Sequence, residues 1–143
     1  LEDYFGSLLQ LADWGQFDVL GHLPYPLRYM RDRDHQPVTL DPYQDVIREI
    51  LRRTVQAGRG IELNTCLYHP DSAADYAGIL TTFRELGGEI VTVGADAHTP
   101  NNVGHAIADG YQLLCQCGFR YVSHFVGRTP QFHSLSKEVS SHA

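Results

Sequence analysis

The chain has 143 residues, 43% hydrophobic and 20% charged, with a formal net charge of −6 and a sequence pI near 5.7. That is the composition of one globular domain with a real core, and its negative balance argues against a nucleic-acid backbone or an anionic membrane as the main partner. A small phosphorylated substrate needs only local positive charge and stays open.

The segment LEDYFGSLLQLADWG spaces Leu1, Tyr4, Phe5, Leu8, Leu9 and Leu11 as one helical face, with Gly15 as its stop. No Met stands at position 1, and the opening reads as the middle of something longer. FDVLGH is expected to be a short buried strand. LPYPLRYMRDRDHQPVTL is a loop or broken helical turn punctuated by Pro24, Pro26 and Pro37. DPYQDVIREILRRTVQAG is the clearest helix, with Asp41 as N-cap, Pro42 in the first turn, an apolar stripe through Ile47, Ile50 and Leu51, and Gly58 at its end. Gly60 to Asn64 is a second strand. A helix opens at Asp71 or Ser72 and closes at Gly87-Gly88. EIVTVG is a third strand, and a helix runs through Ile107, Tyr111 and Leu114. RYVSHF is a fourth strand, after which the sequence turns polar.

The alternation predicts an α/β fold of about four parallel strands with right-handed helical crossovers. The strands are short and suit a barrel at least as well as an open sheet. The three cysteines, Cys66, Cys115 and Cys117, lack a framework spacing, which argues against a disulfide scaffold. Cys115-x-Cys117 sits in the apolar stretch LLCQCGF and reads as buried thiols in preference to a metal pair. With no signal peptide visible and no apolar run near the ~20 residues of a membrane helix, a cytoplasmic location is expected.

Parallel α/β folds build their sites at the carboxyl ends of the strands. Each strand end here carries ligand-competent side chains: His22; Glu62 and Asn64; Asp96 and His98; His124, with Arg128 beyond it. Singly, each has a plainer reading. His22 fits a loop histidine, Glu62 an outward position, Asp96 a helix cap and His124 a structural residue. His105 and Asp109 fit an exposed polar face better than a metal pair. Asp96 and His98 differ, because residues i and i+2 after an extended strand can face one space. Together a carboxylate and an imidazole suit zinc, manganese or iron. No Ser or Cys stands in a nucleophile-elbow context, and Cys66 is a weak candidate, so metal is favoured.

FDVLGHLPYPLRY, GIELNT, GGEIVTVGADAH and GFRYVSHFVGR, in this order, resemble the second half of the histidinol-phosphate phosphatases of the PHP (polymerase and histidinol phosphatase) family. DVLGH and GADAH are the specific segments. The resemblance implies a partial (βα)7 barrel over residues 1–135 and up to three divalent metals, zinc, manganese or iron, at the strand ends; the polar last eight residues, 136–143, read as a flexible tail. It implies that His22, Asp96 and His98 are metal ligands, one for each metal, with Asp96 and His98 at the catalytic centre. Arg28 and Arg128 become candidates for the substrate phosphate, and Glu62 and Asn64 further candidates for contacting the substrate. Ala95 replaces the family's Ser in GSDAH, and LPYP replaces an acidic segment after the His. The family's amino-terminal half, with its His-x-His pair and bridging Glu, has no counterpart here. The expected partners are therefore L-histidinol phosphate and either the missing half of the barrel or another chain.

Two other functions fit less well. Another PHP-type phosphoesterase would act on nucleotides or nucleic-acid ends. A non-catalytic remnant would serve as an oligomerisation or regulatory module.

Overall fold

A computed structural model describes residues 1–66 and 68–136. Among the described residues four α-helices and five strands follow in order as α1 (Glu2–Trp14), β1 (Val19–Leu20), α2 (Gln44–Gln56), β2 (Gly60–Asn64), α3 (Pro70–Glu85), β3 (Val91–Gly94), α4 (Ile107–Gln116), β4 (Tyr121–Val126) and β5 (Thr129–Ser134). Strands β1, β2 and β3 form a parallel sheet in that order, with Val19 opposite Gly60 and Ile61 opposite Val91.

Helices α1 to α4 pack in sequence against one another, and α2 and α4 lie on β2 and β3. The core sits between helices and sheet. Ile50, Leu51, Leu63, Leu80, Phe83, Val91 and Leu114 are fully buried there. The two-residue period of a strand sorts its side chains. In β2, Ile61 and Leu63 are buried while Glu62 and Asn64 are half-buried on the other face. That second face therefore carries the polar groups.

Helix boundaries follow local chemistry, with two corrections. Gly15 ends α1 in the left-handed conformation at φ 62°, and its amide donates to the Leu11 carbonyl. Asp41 does not cap α2. It opens a 3-10 turn over Asp41–Tyr43, and its carboxylate accepts from Thr39 Oγ1 instead. Helix α3 begins at Pro70, and His69 caps it. The Ser72 amide donates to His69 Nδ1, and the His69 amide donates to Ser72 Oγ, a capping box built on imidazole.

A larger correction concerns the fourth strand. RYVSHF forms β4, but β4 pairs antiparallel with β5 in a two-stranded sheet of its own. The two-residue turn is Gly127-Arg128, both at positive φ (54° and 64°), the sign pattern of a type I′ hairpin turn. The polar composition of TPQFHS hides β5, which is largely exposed. The thiol expectation for the Cys115–Cys117 pair also changes: Cys115 is exposed and Cys117 is half-buried, where burial pushes its thiol up. The tail expected over 136–143 lies, beyond Ser136, outside the described residues.

Candidate active site

The carboxyl ends of β1, β2 and β3 meet at one rim, and Glu62 crosses it. Its Oε2 accepts the His22 backbone N–H at 2.9 Å and a longer bond from Asn64 Nδ2 at 3.4 Å. Two glycines make room for the carboxylate. A Cβ on Gly94 would stand 2.6 Å from Glu62 Oε1, and one on Gly21 would stand 3.5 Å from Oε2. The Gly residues that end β3 and follow β1 thus flank the one acidic side chain projecting from the central strand.

His22 and Asp96 both have left-handed backbones, at φ 31° and 48°. Such conformations are uncommon outside glycine and concentrate at functional sites. The turn at Asp96 also corrects the geometry expected for the Asp-x-His pair. β3 ends at Gly94, so no extended strand aligns the two side chains. The chain instead turns back on itself, and His98 Nδ1 lies 2.8 Å from the Asp96 carbonyl oxygen and 3.8 Å from its Oδ1. A carbonyl only accepts, so Nδ1 carries the hydrogen and Nε2 keeps its lone pair. That tautomer suits a metal ligand. His98 is 73% exposed in its side chain and Asp96 31%, leaving both accessible from the rim.

Arg28 joins this group from the loop after β1. Leu23 and Leu27 plunge into the core, and Tyr4 of α1 donates its hydroxyl to the Leu23 carbonyl. Those anchors hold a π-helical turn over Arg28–Arg33, a form often found at functional sites. Arg28 donates to Asp96 Oδ2 at 3.5 Å and to Cys66 Sγ at 3.1 Å. Farther along, Arg31 bridges Asp32 and Asp75, and Asp32 faces His69 at 3.2 Å, which ties the turn to the start of α3. Burial pushes the Asp75 carboxyl up despite Arg31. Two clefts meet at Arg28. One of ≈ 50 Å³ is lined by His22, Asn64, Cys66 and Tyr76, and a wider one of ≈ 340 Å³ by Cys66, Tyr68, His69 and His105.

The structure therefore brings His22, Arg28, Glu62, Asn64, Asp96 and His98 to one rim. It does not bring Arg128 there. The hairpin turn places Arg128 against Asp18, with Nε and Nη2 bonded to the carboxylate at 3.1 Å, at the opposite end of β1. His124 faces His133 on the hairpin. His105 precedes α4, so it and Asp109 do not share a helical face. Cys66, in sequence only a weak nucleophile candidate, stands at this rim beside Arg28, and the Tyr25–Tyr29 hydroxyl pair, which the sequence does not single out, stands there too. Only the nearness of Tyr25 to His22 in sequence hinted at that pair. Its ring stacks at 4.7 Å on that imidazole.

Among the described residues no group of three His, Cys, Asp or Glu side chains converges to hold a cation. The donor set at the rim is partial: His22, Asp96 and His98 stand there without the further side chains that a closed metal centre requires.

No family model matches the chain. It is 30% identical over 123 residues to a probable histidinol-phosphatase of Thermotoga maritima, a match covering 85% of this chain and 50% of that protein. It is 29% identical over 118 residues to a histidinol-phosphatase of Lactococcus lactis, covering 82% of this chain and 44% of that one. A crystal structure of the Lactococcus lactis histidinol phosphate phosphatase, complexed with zinc, L-histidinol and phosphate, superposes with a TM-score of 0.74 at 23% identity, over 91% of this chain and 50% of that chain. The motif-based resemblance to histidinol-phosphatases is thus borne out along most of the chain, and the mixed α/β fold is shared. The chain spans about half the length of the curated relatives it matches.

Proposed function

We propose that this chain supplies one half of the active site of a metal-dependent histidinol-phosphatase, hydrolysing L-histidinol phosphate to L-histidinol and phosphate in histidine biosynthesis. The observation that carries the reading is the convergence of His22, Arg28, Glu62, Asp96 and His98 on one rim, in a chain similar over 85% of its length to a histidinol-phosphatase. In this reading residues 1–135 are the carboxyl-terminal half of a PHP-type (βα)7 barrel. The missing strands come from the rest of a longer polypeptide or from a second chain. The three cysteines are free, in keeping with the reducing cytoplasm.

His22, Asp96 and His98 would each give a ligand to one of up to three divalent ions, zinc, manganese or iron, whose other ligands come from the missing half. Bound metals would activate water and polarise the phosphoryl oxygens. The chain's own residues do the rest. His98 presents Nε2 because its Nδ1 is committed to the Asp96 carbonyl. Asp96 holds Arg28 at the rim until substrate arrives, and Arg28 then turns its guanidinium to the phosphate in charge-assisted bonds. Glu62 and Asn64 stand on the same inner face, where they would orient the substrate. Asp96 would also take a proton during turnover. Arg128, held by Asp18 at the far end of β1, has no part in this arrangement.

The test is phosphate release from histidinol phosphate, with nucleotide monophosphates as comparison, by the complete natural protein or by this chain combined with an amino-terminal half. Metal-dependent release selective for histidinol phosphate supports the reading. Preference for nucleotides would move it to another phosphoesterase, and no activity in the assembled protein would leave a non-catalytic module.

A further inference from the structure

The β4–β5 hairpin carries two histidines that the proposed phosphatase site does not use. Val122 pairs with His133 and His124 with Gln131, so the two imidazoles are diagonal neighbours on one face of the ribbon. Their centroids are 4.6 Å apart with the rings tilted by 33°. His133 Nε2 stands 2.7 Å from His124 Nδ1. At that distance one ring donates its N–H to the lone pair of the other, and a divalent ion can replace that hydrogen by taking a lone pair from each ring.

The pair must open slightly to take a cation. Two nitrogens on one tetrahedral zinc, each ~2.0–2.1 Å from it, stand ~3.3 Å apart. Both histidines are exposed, so a small rotation of either ring opens the required gap. The strands fix the rest, since an antiparallel ladder holds both Cβ atoms in place before any ion arrives. A groove of ≈ 250 Å³ between Val93, Tyr111, Val122 and Ser123 opens onto the pair.

We propose that His124 and His133 form a second metal site, apart from the rim, for a divalent transition ion of the imidazole-preferring kind, zinc, nickel or copper. His124 Nδ1 and His133 Nε2 are the ligating atoms. No third His, Cys, Asp or Glu joins them among the described residues, so water fills the remaining positions. The ion clamps β4 to β5.

Nickel, added in small substoichiometric steps to the isotope-labelled 143-residue chain and followed by imidazole NMR, tests this directly. The ion is paramagnetic and broadens the resonances of the residues that bind it. His124 and His133 should broaden together, and zinc should compete the nickel away. In His124→Ala and His133→Ala the apparent affinity of this step should fall at least tenfold, with the circular dichroism spectrum unchanged. Broadening of His22 and His98 reports the rim separately, so failure at either place is distinguishable from failure at the other. Unbroadened His124 and His133 resonances, or nickel affinity unaltered in both variants, would overturn the proposal.

Discussion

Replacing Gly94 by Ala isolates what holds Glu62 across the rim. The added Cβ would stand 2.6 Å from Glu62 Oε1, so the carboxylate must withdraw by ~1 Å to regain ordinary contact. The obstacle is the tip of a side chain, and the backbone can stay where it is. What goes is the 2.9 Å bond from the His22 amide to Oε2. A hydrogen bond to a charged acceptor contributes roughly 1.5–3 kcal/mol when shielded. At this half-exposed rim the loss is nearer ~1 kcal/mol. The smaller conformational entropy of the unfolded Ala variant offsets about 0.4–1 kcal/mol of that. Gly94→Ala should therefore change stability by less than about 1 kcal/mol in urea unfolding, while the His22 amide proton moves upfield and exchanges faster. Gly60→Ala is the contrast. Its Cβ would meet Ile90 Cγ2 at 2.5 Å and the Ile90 carbonyl oxygen at 2.7 Å, and a backbone obstacle should cost about 2–3 kcal/mol. An unmoved His22 amide in Gly94→Ala, or a loss of stability as large as that of Gly60→Ala, would refute this account of Glu62.

Leu80 is fully buried, and Leu80→Ala should lower the unfolding free energy by about 2–5 kcal/mol, read from the urea midpoint at unchanged slope. Bonds from Arg52 and then Arg53 pull the Glu49 carboxyl down from 4.5 to about 2. The stability it contributes is present above pH 4.5 and is lost as pH falls toward 2. Unfolding midpoints of Glu49→Gln should accordingly show a shallower acid limb than the parent, and identical limbs would contradict the pairing. If the assembled protein is the proposed phosphatase, Arg28→Ala should weaken its inhibition by inorganic phosphate far more than Arg128→Ala, as judged by their inhibition constants. Equal effects would return Arg128 to the site.

The helices and the parallel strands were legible because their signals are local. The stripe through Ile47, Ile50 and Leu51 is the buried face of α2, and β2 spans the Gly60–Asn64 read from its apolar core. Strand ends were legible through topology, since sites in such folds gather there, and all five strand-end side chains of the first three strands, His22, Glu62, Asn64, Asp96 and His98, do meet at one rim. The fourth strand misled because pairing is a long-range property. Nothing in RYVSHF says whether its partner is a parallel neighbour or the polar TPQFHS that follows, and Gly-Arg is a weak hairpin signal beside Asn-Gly. Arg128 went astray with it, carried by that turn to Asp18. The His69 cap and the Arg28–Cys66 contact were hidden for a similar reason. Each depends on where a loop returns in space, which the spacing of residues does not encode.

The central claim is that Asp96 and His98 serve a metal-dependent phosphatase centre. It is tested most directly by measuring bound metal and histidinol phosphate hydrolysis together in the complete natural protein and in its Asp96→Ala and His98→Ala variants. The account predicts that each substitution lowers metal content and reduces turnover by at least about a hundredfold, with folding intact by circular dichroism. Full activity and unchanged metal in both variants would contradict it.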